Sequence, residues 1–274
     1  MIKTDIIILG AQKSATTSLF DMMTRSPDIV GSDPKEPDYF SVVQDWRADL
    51  DQYHSIYSPK NGTLYLEAST SYTFFPHRNL RIWDDLYAYN PDLRFIYVVR
   101  KPSDRIASHY AHMWRRGYFS GSIREFALGE PLALSVSRYY AQIIPFIETF
   151  GRQQVLILRY EDVISGDANG KVATFLGLEP DAFGHHPSLA NESKNLRHHR
   201  FSQKSALWRV ASRASPRVAD RLARLLTPSL RAKPVLDAEV ASAITRVLET
   251  DIRALERLTG FDLTKWRDTE VRQA

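Results

Sequence analysis

Lys13, Thr16, Thr17 and Ser18 follow Gly10 closely in the run GAQKSATTSL, and Arg100 and Ser108 lie eight residues apart in VVRKPSDRIASHY. Ammonium, hydroxyl and guanidinium groups bind phosphate and sulfate oxygens. The first cluster opens a helix. There, unpartnered backbone N–H groups and the positive end of the macrodipole favour an anion. A nucleotide-hydrolysing P-loop reads G-x-x-x-x-G-K-[ST]. Here no glycine directly precedes Lys13, and Lys13 lies three residues ahead of Thr16. Magnesium-dependent nucleotide hydrolysis is therefore a poor fit. In the second run Arg100 follows an apolar strand, and Pro102 opens a helix where its fixed φ is tolerated. A guanidinium fork there suits a terminal phosphate. Ser108 returns to the side of Arg100 if that helix lies across the ligand's phosphate.

These groups need a common scaffold. Ile6–Leu9, Leu64–Glu67, Phe95–Val99 and Val155–Leu158 are short apolar runs without polar alternation, as in parallel strands covered on both faces. Helical patterns fall at Thr17–Arg25, Asn79–Tyr89, Ser103–Trp114, Val136–Phe150 and Lys171–Leu176, and at Ser205–Leu226 and Ala238–Leu258 near the end. The alternation predicts an α/β fold with right-handed crossovers. Open sheets of this kind bind ligands beyond the carboxyl ends of their strands, where both Gly10 and Arg100 fall. Phe183–Arg200 is polar and aperiodic and reads as a long functional loop.

Composition sets outer bounds. The 274 residues are 43% hydrophobic and 25% charged, ordinary for a folded chain with a substantial core. Absence of cysteine excludes disulfides and thiolate chemistry. No apolar run approaches the ~20 residues that span a bilayer. The N-terminal run reads as a strand rather than a signal peptide, so a cytoplasmic protein is expected. A net charge of +4 suits an anionic ligand without implying nucleic acid. Ser205–Lys233 holds seven basic residues and one acidic one, and reads as a core-packing helix with a basic face or as a surface for an anionic acceptor or a membrane. One domain over 1–274 is expected, with a core at 5–200 and a helical part at 201–274.

Together the two motifs resemble the PAPS-dependent sulfotransferases, in particular the branch containing bacterial and heparan sulfate enzymes. GAQKSATTSL resembles their 5′-phosphosulfate loop and VVRKPSDRIASHY their 3′-phosphate motif. KEPDYF at 35–40, YLEASTSY at 65–72, LRYEDV at 158–163 and FLGL at 175–178 resemble later landmarks. NESKNLRHHRF at 191–201, with Arg197, is similar to a basic loop over the nucleotide. Three positions depart. Ala15 replaces a usual glycine, so a slightly different turn is expected. Lys101 stands where Asn or Asp is common. Ala68 replaces a lysine found near the acceptor in heparan-type enzymes, which favours a small-molecule or oligosaccharide acceptor of another kind.

The resemblance implies a P-loop-like three-layer fold with a central parallel sheet, PAPS (3′-phosphoadenosine 5′-phosphosulfate) as donor, PAP as product, and no metal. Lys13 would stabilise the leaving phosphate. Ser14, Ala15, Thr16, Thr17 and Ser18 would cradle the 5′-phosphate. Arg100 and Ser108 would hold the 3′-phosphate, with Arg197 above. Glu36 would be the base that deprotonates the acceptor, with Glu67 as its rival. His109 and His112 read as packing or capping residues. Tyr39, Phe40, Tyr72 and Phe74 suit either an acceptor cleft or the core. The alternatives are a P-loop kinase using ATP–Mg²⁺ and a non-catalytic nucleotide-binding module.

Overall fold

The computed structural model describes residues 2–184 and 234–267, and the backbone of 196–197 and 229–230. Its centre is a parallel sheet of β1 (Ile6–Gly10), β2 (Ile29–Gly31), β3 (Leu64–Glu67), β4 (Arg94–Val99) and β5 (Val155–Arg159). The spatial order is β2-β3-β1-β4-β5. Ile6 of β1 pairs with Leu66 on one side and Arg94 on the other. Successive strand side chains alternate between faces. Ile7, Leu9, Phe95, Tyr97 and Val99 join one core, and Ile6, Ile8, Ile96 and Val98 join the other. With both faces buried, no polar alternation appears in the sequence.

The helices are α1 (Thr16–Met23), α2 (Tyr39–Val42), α3 (Leu50–His54), α4 (Ile82–Tyr89), α5 (Pro102–Arg116) and α6 (Ile123–Gly129). They continue with α7 (Pro131–Ser135), α8 (Tyr139–Phe150), α9 (Tyr160–Ser165), α10 (Ala168–Leu176), α11 (Ala238–Thr259) and α12 (Thr264–Arg267). Leu19, Phe20 and Met23 of α1 and Val172, Ala173 and Leu176 of α10 cover one face. Residues of α4, α5, α8 and α11 cover the other. The layers and the parallel sheet are those expected.

Several boundaries differ for local reasons. β2 was not anticipated, because three residues between turns carry no periodicity. α4 starts at Ile82 rather than Asn79, since Asn79 folds into a turn. Its side chain accepts from Arg81 N–H at 2.9 Å and donates to the Phe40 carbonyl at 2.9 Å, a common use of asparagine. α8 starts at Tyr139 rather than Val136, because Arg138 leaves helical geometry with ψ near 70°. α11 matches the expected Ala238–Leu258. Asp237 caps it by accepting from Val240 N–H at 2.8 Å, and Val240, Ile244, Leu248, Ile252 and Leu255 form its buried stripe. Asp251 of α11 accepts from the Tyr140 and Ala141 amides at the start of α8, at 3.1 and 3.0 Å. The expected helix at Ser205–Leu226 lies outside the described residues. Among the described residues, no helix is long and apolar enough to cross a membrane.

Candidate active site

β1 ends at Gly10, with φ of 143°. A Cβ there would lie 2.8 Å from Thr73 Oγ1, so only glycine fits without displacing that side chain. Thr73 ends a 3₁₀ turn, Thr70–Thr73, and donates to the Leu9 carbonyl at 2.9 Å. The β1–α1 loop then tightens: Ala11 N–H donates to the Val98 carbonyl at 2.9 Å, and Ser14 N–H to the Ala11 carbonyl at 3.1 Å. Lys13 and Ala15 take φ of 71° and 66°. Ala15 thus adopts the left-handed conformation glycine would take. The left-handed conformation is held at a local strain of about 1–2 kcal/mol.

A left-handed residue followed by a helical one turns successive amides to one side and forms an anion nest. Among the described residues, the N–H groups of Lys13, Ala15, Thr16, Thr17 and Ser18 have no protein acceptor. Ser14 Oγ and Gln12 Oε1 are buried and unpartnered as well. Native folds leave few buried polar atoms unpaired. The donors gathered here, the five amides and the Ser14 hydroxyl, fit a multidentate anionic group, whereas the Gln12 oxygen is an acceptor.

The Lys13 Nζ lies 3.5 Å from His112 Nδ1. An ammonium has no acceptor capacity, so in this long contact Nδ1 accepts and the imidazole proton is on Nε2. Burial, and then the Arg115 guanidinium, push the Lys13 pKa down to about 8, while the Glu36 carboxylate opposes them. Burial, followed by Lys13, Arg116 and Arg115, lowers the His112 pKa to about 4, so its ring is neutral at ordinary pH. Glu36 is exposed and pairs with Lys35 at 2.6 Å. Lys13, Ala15 and Asp38, the last at φ 54°, are the non-glycine residues of positive φ among those described. All three lie in the β1–α1 loop or the Lys35–Phe40 loop. Such strain concentrates at functional sites.

Arg100 is 5% exposed. Its Nη1 donates to the Lys13 carbonyl at 2.9 Å, its guanidinium carbon lies 4.1 Å from the Tyr160 ring centroid, and its Nε is buried without a partner. Sequence reasoning missed the first of these contacts: Arg100 also fixes the loop that carries Lys13. Ser108 is half-buried on α5. His112 lies one helical turn further, so the two share a face, and the His112–Lys13 contact turns that face toward the loop. His112 was expected to pack or cap, yet it touches Lys13; the signal was its i, i+4 spacing from Ser108. The Arg197 backbone pairs with Ser229 in the short antiparallel ladder of β6 (Leu196–Arg197) and β7 (Ser229–Leu230). Its side chain lies outside the described residues.

Glu67, the rival base, is fully buried. It accepts from Tyr53 Oη at 2.7 Å, Ser69 Oγ at 2.5 Å and Tyr72 Oη at 3.1 Å. Burial dominates and lifts its pKa to about 7. Enclosed by hydroxyls, it has no open path to an acceptor. His109 is 1% exposed and packs edge-on against Phe126 at 5.1 Å, in line with a packing role. Tyr39, Phe40, Tyr72 and Phe74 all belong to the buried core rather than to a cleft wall. Among the described residues, no group of three or more His, Asp or Glu stands ready for a metal. Two adjacent-histidine pairs of the sequence, His185–His186 and His198–His199, lie outside the described residues.

The sulfotransferase domain family matches residues 3–221. Human heparan sulfate glucosamine 3-O-sulfotransferase 6 is 27% identical over 187 residues, covering 63% of this chain and 52% of the relative. Human carbohydrate sulfotransferase 15 is 24% identical over 243 residues, covering 63% of this chain and 43% of that protein. The chain spans about half the length of these curated relatives. A crystal structure of a sulfotransferase from Alicyclobacillus acidocaldarius superposes with a TM-score of 0.70 at 22% identity, over 98% of this chain and 100% of that one. This likeness gives the same fold. With a match across most of its length, the chain belongs to the sulfotransferase domain family, a family of transferase enzymes.

Proposed function

We propose that the chain transfers a sulfuryl group from PAPS to a hydroxyl or amine of a small-molecule or carbohydrate acceptor, releasing PAP. The supporting observation is the unpartnered amides of Lys13 and Ala15–Ser18 set beside the Lys13 ammonium. When bound, PAPS supplies an activated sulfuryl group whose departure leaves negative charge on the 5′-phosphate side. The amides, with the hydroxyls of Thr16 and Thr17, hold that phosphate. Lys13 offers N–H donors where the charge grows, a form of electrostatic catalysis in a preorganised site. Arg100 keeps donors beyond its bond to Lys13 and, with Ser108, holds the 3′-phosphate; Arg197 adds charge from the later loop. Glu36 removes the acceptor's proton. No step calls for a metal. Residues 1–274 are read as one domain, because α11 completes the core that backs the site.

The test combines PAPS with a panel of sugars, phenols and amines, following PAP release and sulfated products by mass spectrometry. Lys13→Ala is expected to lower turnover at least ~100-fold, the scale for a lost electrostatic donor, with its melting temperature retained. Near-normal turnover in that variant removes Lys13 from the role. Stabilisation by ATP–Mg²⁺ but not by PAP in a thermal shift assay favours the kinase alternative.

A further inference from the structure

The Glu67 carboxylate lies at the tip of β3, enclosed by hydroxyls, with no cation among its hydrogen-bond partners. A buried carboxylate without a cation is unfavourable unless its hydrogen bonds serve the fold. Here two of its donors also act as acceptors. Ser69 Oγ donates to Glu67 Oε2 at 2.5 Å and accepts from Asp38 N–H at 2.9 Å. Tyr72 Oη donates to Glu67 Oε1 at 3.1 Å and accepts from Phe40 N–H at 3.3 Å. The Asp38 amide closes the loop carrying Glu36, and the Phe40 amide lies in the first turn of α2 directly after it. Two further bonds tie the same segments: Ala68 N–H donates to the Lys35 carbonyl at 3.0 Å, and Ser71 Oγ to Asp38 Oδ1 at 2.5 Å.

A hydroxyl that donates to a carboxylate becomes a better acceptor, because chained hydrogen bonds polarise one another. In its ionised form, favoured above about pH 7, Glu67 only accepts, and this fixes the direction of both chains. Asp38 sits in a left-handed conformation, which persists only where the surroundings hold it. We propose that Glu67 is a positioning residue: through the Ser69 and Tyr72 hydroxyls it fixes the backbone of the Lys35–Phe40 loop and thereby aims Glu36 at the acceptor. The Tyr53 Oη bond, with Thr4 Oγ1 2.8 Å behind it, closes the far side of the carboxylate. The role assigned to Glu36 rests on the sulfotransferase reading above; the loop-fixing relay does not.

The experiment therefore has two readouts. Ser69→Ala cuts the relay to Asp38, and Tyr72→Phe cuts the relay to Phe40. Each leaves Glu67 with two of its three donors, so folding is retained more readily than in Glu67→Gln. Hydrogen–deuterium exchange in the 274-residue chain is expected to speed up about tenfold in the peptide containing residues 36–42, one lost hydrogen bond of about 1.4 kcal/mol. Peptides from β1 and α1 should be unchanged, and Ser69→Thr, which keeps the hydroxyl, should restore slow exchange. With PAPS and an acceptor, kcat should fall about tenfold in both variants while the affinity for PAP stays within about twofold. Unchanged exchange in both variants overturns the relay. Faster exchange with unchanged kcat overturns the aiming of Glu36. Faster exchange in the variants of a wild type inactive toward every acceptor upholds the relay and counts against the sulfotransferase reading instead.

Discussion

In its proposed role Lys13 has to be charged, yet burial and the Arg115 guanidinium hold its pKa at about 8. The pH dependence of kcat/KM reports the free enzyme. Its alkaline limb is expected to decline above this value by about tenfold per unit as the ammonium is lost, separate from an acid limb set by the base. An anionic donor favours the charged form, so the corresponding limb in kcat lies at higher pH. A pH–rate series extended to alkaline buffers checks both, and a kcat/KM that stays flat there contradicts the assignment. Lys13 stands out as a candidate in the sequence because the pattern is local: one lysine, three hydroxyls and a helix start lie within a few residues. Glu67 and His112 were not legible in the same way. A carboxylate at a strand tip reads alike whether it faces a cleft or a ring of tyrosines, and only the fold brings Tyr53, Ser69 and Tyr72 around it. His112 needed the long-range contact with the β1–α1 loop to stand out from its helix.

At the level of elements, the site is a junction of the ends of β1, β3 and β4. Arg100 joins two of them, because its Nη1 bond to the Lys13 carbonyl fastens the loop after β1 to the tip of β4. Tyr139 of α8 steadies the same tip by donating to the Arg100 carbonyl at 2.7 Å. Arg100→Ala is expected to weaken PAP binding at least ~10-fold, since a hydrogen bond to a charged group contributes about 1.5–3 kcal/mol. It should also accelerate amide exchange in the β1–α1 loop, as a phosphate contact alone would not. Calorimetry with PAP and exchange without it separate the two contributions. The buried strands were legible because coverage on both faces leaves continuous apolar runs. Short elements such as β2 and α7 were not, because their limits come from neighbours and turn residues rather than from periodicity.

Across the whole molecule, the late helix α11 belongs to the same core as the first strand: Leu248 and Leu255 are fully buried in the cluster that holds Ile7 and Leu9. Leu248→Ala is expected to lower stability by about 2–5 kcal/mol while leaving KM for PAPS unaltered in the folded fraction. Chemical denaturation and steady-state kinetics at low temperature check the two halves. The strand order has a further consequence for how the molecule comes into being. β1 is made first but occupies the middle of the sheet, and its neighbours β3 and β4 begin only at Leu64 and Arg94. The greasy stretch Ile6–Leu9 must therefore wait, unpaired, while much of the polypeptide emerges. Distant pairing of this kind slows acquisition of the native state and leaves sticky edges open to other molecules in the interval. Newly synthesised chains should consequently depend on chaperones, and dilute refolding should outperform concentrated refolding.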